Sequence, residues 1–237
     1  MNLFPDKNLI IVTSALKSTV GVLSEEDRYK QTLLSLISLR KVFVDDIILF
    51  ADGSPDEIEQ EKIAEIAKLV NAIIPWNKDK EIQSFANRGM KSEAETAMLF
   101  KTLVAIKRDT GLARILSQVK RVWKISARTF LHETFDPKEH EKHFGKYVFK
   151  KAVPSWLPPQ YQRITTDHLY ITRLYSFCPS LIDDYIHYLT EIYQTIEKYN
   201  IDTEHAHYKT LDKKYVLEFD NIHCEGIMAS TGKTEIY

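Results

Sequence analysis

Leu9-Ile10-Ile11-Val12 is an unbroken apolar run, the pattern of a strand covered on both faces, and it stops at two small polar residues, Thr13-Ser14. Helical spacing takes over at Ser24, an N-cap followed by Glu25, Glu26 and Asp27, acids that suit the first turn. Tyr29, Leu33, Leu36, Ile37 and Arg40 then recur at three- and four-residue intervals and predict a helix over 25–41. Asp46–Phe50 is a second buried-strand run. Ser54-Pro55-Asp56-Glu57 reads as a capping box with proline at the first helical position, predicting a helix to about Val70 that buries Ile58, Ile63, Ile66 and Leu69. Ala72-Ile73-Ile74 is a short third strand, closed by Pro75-Trp76. A second capping box, Ser92-Glu93-Ala94-Glu95, predicts a helix to about Asp109, and a helical piece near 112–118 leads into a fourth strand, Arg121–Ile125.

Strands alternating with helices predict an α/β fold with a mostly parallel sheet flanked by helices. Right-handed crossovers then place the C-terminal ends of the strands on one edge, where ligands of open α/β sheets bind. Thr13-Ser14, Asp52-Gly53-Ser54, Trp76-Asn77 and Ser126-Ala127-Arg128 are thereby expected around one crevice. Beyond Leu131 the periodicity lapses: 132–165 reads as an irregular excursion, with a short strand at Tyr147-Val148-Phe149. Regular elements resume with a strand near 169–177, a helix capped by Ser180 that runs to Tyr199, a helix from Thr203 and a strand at 215–219. An ending rich in small residues, 226–232, follows.

At 237 residues, with 44% hydrophobic and 27% charged residues, the chain suits one globular domain with a large core. A formal net charge of −1 argues against a nucleic-acid binder. Cys178 and Cys224 are far apart and unpatterned, which suggests buried apolar fillers and no disulfide framework or zinc knuckle. The four-residue run at Leu9 is too short for a signal sequence and no segment reaches the length of a membrane span, so a cytoplasmic location is expected. Charge is nonetheless uneven. Between Lys101 and Arg128 eight basic residues face one acid, Asp109. Lys107, Arg108, Arg114 and Lys120 read as a solvated helix face. Lys124 and Arg128 flank the end of the fourth strand and, with Ser126, suit the oxygens of a phosphate; a structural ion pair is the competing use of either cation. Neither a Walker A sequence nor a G-x-G-x-x-G after the first strand is present, and seven glycines are too few for a glycine-rich phosphate loop.

At "DDIILFADGSPDE" the chain resembles GT-A-type glycosyltransferases, particularly the large family-two type, whose second strand ends in an acidic D-G-S step before a helix. Thr13-Ser14 is similar to the small polar end of their first strand, and Asn87-Arg88-Gly89 before Ser92-Glu93-Ala94 to their N-x-G segment. The resemblance covers roughly residues 9–131, and it departs in two places. Ala51 stands where an acid is frequent, and Ile125-Ser126-Ala127-Arg128 stands where a metal-binding D-x-D belongs. "RVWKISARTFL" instead looks like the W-K-I-S-G-R-Y segment of small glycosyltransferase-like proteins of surface-polysaccharide gene clusters and viral genomes, with Ala127 for the glycine and Thr129 for the aromatic residue.

The resemblance implies transfer of a sugar from a nucleotide-sugar donor, a uridine-linked one being commonest, to a glycan or lipid-linked acceptor in polysaccharide biosynthesis. Donor contacts are implied for Thr13, Ser14, Asp52, Gly53, Asn87, Arg88 and Ser126. Lys124 and Arg128 would meet the leaving diphosphate in place of a metal, so no cofactor is expected; the alternative is Mn or Mg. An inverting transfer needs a carboxylate base, for which Glu204 is the first candidate and Asp167 the second. The His205-x-His207 and Asp202-x-Glu204 spacings suit a metal poorly on a helix; Glu204 and His207, three apart, could share one, and solvated or packed histidines are the competing reading. Trp156, Tyr147 and Tyr161 are candidate acceptor platforms, with a packed surface loop as the competing reading, and Lys142, Lys146, Lys150 and Lys151 suggest weak peripheral membrane contact. A sugar-1-phosphate nucleotidyltransferase, or a non-catalytic nucleotide- or glycan-binding member of a synthetic complex, are the rival readings.

Overall fold

The computed structural model describes residues 7–18, 20–116, 118–158, 164, 166–227 and 231–237. Strands β1 (Leu9–Ser14), β2 (Ile47–Asp52), β3 (Ala72–Pro75) and β4 (Val122–Ser126) run parallel in the order 3-2-1-4. Every residue of β1 and β2 is buried, which explains their unbroken apolar runs. Side chains alternate between two cores. Ile10 and Val12 meet the helix α1 (Glu25–Val42) through Leu36, Leu39 and Phe43. Leu9 and Ile11 belong to the opposite core, with Leu99, Leu103 and Ile106 of α4 (Lys91–Arg108). On that same face lie Leu189, Ile192 and Ile196 of α7 (Ile182–Tyr199).

β9 (Leu174–Phe177) pairs antiparallel with β4, and beyond it β6 (Tyr147–Lys150) and β10 (Val216–Phe219) complete a seven-stranded, mostly parallel sheet in a single domain. A second, antiparallel sheet is made by β5 (Thr129–Leu131), β11 (Cys224–Ile227) and β12 (Thr234–Ile236). The short pair β7 (Val153–Pro154) and β8 (His168–Leu169) forms a third. The expected strand over 169–177 is thus two strands, parted at 170–173. Cys178 and Cys224 are free and buried, as expected. Among the described residues no helix is long and apolar enough to cross a membrane.

Two helix starts differ from expectation because a serine is used elsewhere. Ser54 is fully buried, and its hydroxyl accepts from Lys17 N (2.9 Å) while its own N–H donates to Asp52 Oδ1 (2.8 Å). The hydroxyl therefore closes the loop after β1, and α2 begins only at Gln60 and ends at Ala67. Ser92 lies inside α4, where its hydroxyl accepts from Thr203 N (3.1 Å) and ties α4 to the start of α8 (Thr203–Thr210). α3 (Lys80–Asn87) was not visible in the periodicity; Asp79 caps it, accepting from Glu81 N and Ile82 N at 3.1 Å each. Two further short α-helices are α5 (Thr110–Leu116) and α6 (Pro137–Glu141).

Candidate functional site

Strand register gathers the site. Thr13 pairs with Ser126, Ser14 with Asp52 and Asp52 with Pro75, so the C-terminal ends of β1–β4 form one edge. Because β9 runs the other way, its beginning lies on that edge too: Ser126 N donates to Arg173 O at 2.8 Å. The N-terminal end of α8 joins them through Ser92. Between these elements opens a cavity of about 410 Å³. Thr13, Ser14, Gly53, Ser126, Arg128, Trp156 and Glu204 all line it, so part of the expected site is assembled. A Cβ on Gly53 would come within 3.1 Å of Met98 Sδ, which explains a glycine on this wall.

Other expected residues lie elsewhere. Asp52 is buried and turned inward, its carboxylate accepting from the N–H groups of Leu16 (3.1 Å) and Ser54 (2.8 Å), so it braces the loop after β1 and offers nothing to the cavity. Asn87 and Arg88 are exposed at the end of α3, with Arg88 folded over the ring of Phe85; only Gly89 of that segment reaches the cavity wall. Asp167 is a surface residue paired with His168 (3.2 Å) and does not line the cavity. Tyr147 is fully buried against α7, leaving it no surface for an acceptor, and Tyr161 lies outside the described residues. The lysines Lys142, Lys146, Lys150 and Lys151 are tied to Glu139, Lys214 O, Asp220 O and Asp220 respectively.

Lys124 requires the largest correction. Strand alternation sends its side chain to the α4–α7 face, where it is 1% exposed. Its ammonium donates to Glu95 Oε1, to Ser126 Oγ (2.9 Å) and to Thr172 O (2.8 Å), which uses all three protons. The residue is a buried counter-ion for Glu95, and it does not line the main cavity. Breaking such a pair leaves a charge without compensation. Lys124→Met is accordingly expected to lower unfolding stability by about 3 kcal/mol, read from urea denaturation; an unchanged midpoint would mean that the pair contributes nothing.

The cations that do face the cavity are Arg128 with Arg28, Arg173, Lys91 and Lys17. Lys17 is bound to Glu59 (2.8 Å). Arg28, fully buried on the inner face of α1, donates among the described residues to the carbonyls of Leu23 and Val20. Arg128 has a buried Nε with no hydrogen-bond partner among the described residues. Burial, then the charges of Arg28 and Arg173, lower the Arg128 guanidinium to about 10. Lys91 is pushed down by burial and then by Arg128 and Arg28. A cluster of mutually repelling cations beside an unused buried donor is a seat for an anion.

Arg173 owes its place to a glycine. It lies across β11 so closely that a Cβ on Gly226 would stand 2.9 Å from its Cδ and 3.0 Å from Nη1, and its guanidinium lies 5.8 Å from the ring of Tyr237. Gly226→Ala, by displacing that side chain, and Arg173→Ala are each expected to weaken binding of inorganic pyrophosphate about tenfold, with the double variant no worse than Arg173→Ala. Calorimetric titration of the three variants checks this; additive losses would contradict it.

Facing the cations is Glu204, in the first turn of α8, accepting from Thr172 Oγ1 at 3.2 Å. Burial, followed by the negative charges of Asp202 and Glu95, raises its carboxyl to about 7. For Glu95, burial pushes the carboxyl up, but Lys124 more than offsets this and holds it below the ordinary range. Two carboxylates of this cavity, Glu95 and Glu204, are thus driven apart, the condition under which one stays ionised and the other exchanges a proton near neutrality. His207 takes no part: it is buried and bonded to Tyr185 (3.0 Å) and Thr203 O (2.7 Å). Among the described residues no group of three or more His, Cys, Asp or Glu side chains is so placed that it could hold a metal ion.

Arg28, Arg173, Lys91 and Glu95 are the site residues that periodicity did not disclose. Arg28 left one trace: with Thr32, Ser35 and Leu39 it forms a helical stripe, and all four are buried.

No protein-family model and no curated protein matches the chain by sequence. Its fold is similar to that of the galactosyltransferase LgtC, solved with donor and acceptor sugar analogues, at a TM-score of 0.52 and 9% identity over 89% of this chain and 72% of that one. It is also similar to the mannosyltransferase Ktr4p from S. cerevisiae (TM-score 0.50, 12% identity, 90% of this chain, 69% of that one). Core-mannan synthase A from Aspergillus fumigatus, in a Mn/GDP form, is a further likeness (TM-score 0.50, 9% identity, 90% of this chain, 73% of that one). At such identities the likeness establishes the fold alone, which is that of the GT-A glycosyltransferases.

Proposed function

We propose that the protein is a glycosyltransferase that moves a sugar from a nucleotide-diphosphate donor to a hydroxyl of a glycan or lipid-linked acceptor. The observation that carries this reading is the pairing, in one cavity, of the unpartnered Arg128 Nε and its cationic neighbours with Glu204, a carboxyl raised to about 7. The acceptor hydroxyl attacks the anomeric carbon as the bond from that carbon to the β-phosphate oxygen breaks. Negative charge grows on the departing diphosphate, and Arg128, Arg28, Arg173 and Lys91 lie around the space it would occupy. Interactions that strengthen as that charge develops lower the barrier more than they tighten ground-state binding. Glu204, ionised above about pH 7, takes the proton of the attacking hydroxyl. Trp156, half-exposed on the rim, is the acceptor-side surface.

A divalent cation is a poor fit at the end of β4. The side chains there are a serine hydroxyl and the Arg128 guanidinium, a set that repels a metal ion and attracts an anion. No step above uses one, and the same chemistry favours metal-independent turnover.

Thermal-shift measurements with UDP, GDP, CMP, dTDP, UTP and GTP, each in EDTA and again with manganese, test the reading. Stabilisation by a diphosphate without metal is expected. Stabilisation restricted to nucleoside triphosphates would favour nucleotidyl transfer, and a diphosphate response that required manganese would overturn the metal-independent form.

A further inference from the structure

We propose that Glu95 is a specificity-determining residue that contacts the transferred sugar, and that its negative charge selects a neutral, hydroxylated sugar over an acidic one. This inference rests on the nucleotide-sugar reading above. Glu95 projects from α4 onto the cavity wall. One of its oxygens, Oε1, is fully engaged, accepting from Lys124 Nζ and from Thr13 Oγ1 (3.3 Å). Among the described residues Oε2 has no hydrogen-bond partner, and the side chain is about one-third exposed, at 32%, on a wall of the cavity. The carboxylate is therefore held by one oxygen and offers the other.

Its position defines what that oxygen meets. A transferred sugar must lie between the leaving phosphate and the group that takes the acceptor's proton. Glu95 lines the same cavity as Arg128, on the phosphate side, and Glu204, on the proton-accepting side, and its charge acts on both. A carboxylate kept ionised by a buried lysine is a strong acceptor for a sugar hydroxyl and an unfavourable neighbour for a second carboxylate. A lysine spent on holding Glu95, when the same ammonium on an adjacent face would have served the phosphate, fits that division of labour.

Calorimetric titration of the parent protein with UDP, UDP-glucose and UDP-glucuronate tests the inference, or with GDP, GDP-mannose and GDP-mannuronate if GDP is the tighter diphosphate. The neutral donor is expected to bind at least about tenfold more tightly than its acidic counterpart, and Glu95→Gln to shrink that ratio to about threefold or less. Equal or tighter binding of the acidic donor by the parent would overturn the inference, and so would an unchanged ratio in a folded Glu95→Gln protein. If the variant does not fold, the parent ratio alone decides. Absence of binding by UDP and GDP themselves is a distinguishable result, since it removes the underlying nucleotide-sugar reading and the inference with it.

Discussion

Arg128→Ala is expected to cost about a hundredfold in affinity for UDP or GDP while leaving the protein as stable as the parent or more so. The binding loss follows from the unpartnered buried Nε, whose N–H is free to donate to a phosphate oxygen. The stability gain follows from its lowered pKa of about 10, against an ordinary value of 12.5. A base whose folded pKa is depressed is held charged at a cost, and that cost persists throughout the neutral range. Removing it also relieves Arg28 and Arg173, which repel it. Lys124→Met should do the reverse, losing stability because the lysine is a counter-ion. Calorimetry and urea denaturation on the two variants separate these roles. Equal loss of stability in both would mean that Arg128, too, is structural.

Glu204→Gln carries the second large effect, a fall in turnover of about 10²- to 10⁴-fold with donor affinity little changed. The pH profile is more diagnostic than the size of the loss. Turnover by the parent should rise with pH through about 7, as the Glu204 carboxyl ionises, and the residual activity of the variant should lack that step. The same shift has a consequence for stability. The folded state holds this proton more tightly than the unfolded chain, whose carboxyl titrates near 4.5, so its contribution is complete below that value. It is lost as pH rises through about 7. The variant should therefore gain stability relative to the parent between pH 5.5 and 8, measured by thermal melting. A parent profile flat across neutrality would remove Glu204 as the base.

The strands of the parallel half were legible because burial on both faces forces unbroken apolar runs such as Leu9–Val12 and Ile47–Phe50. Their order along the chain then sufficed to foresee a crevice at Thr13, Gly53, Ser126 and Arg128. Residues whose role depends on direction or partner were less visible. Lys124 and Arg128 look alike in the chain, but the pleat sends Lys124 under α4 to Glu95, while the turn after Ser126 leaves Arg128 in the cavity. Arg173 reaches the same edge only because β9 is reversed, and a short apolar run does not disclose its direction. Ser54 carries the residues of a helix cap around it, yet its hydroxyl serves Lys17 N, so propensity lost to a tertiary hydrogen bond. Glu204 was singled out because Thr203-Glu204-His205 follows the long helix at an expected helix start where the resembled enzymes often place an acid; the structure has that start, capped by Asp202, which accepts from His205 N at 3.0 Å.

The ³¹P NMR spectrum of UDP and of GDP titrated with the protein in EDTA reads the proposed contact at the atoms concerned. The account predicts that both phosphorus resonances of at least one nucleotide shift and broaden with the parent protein and stay at their free positions with Arg128→Ala. Resonances that stay unmoved by the parent, or that move equally with the variant, would contradict it.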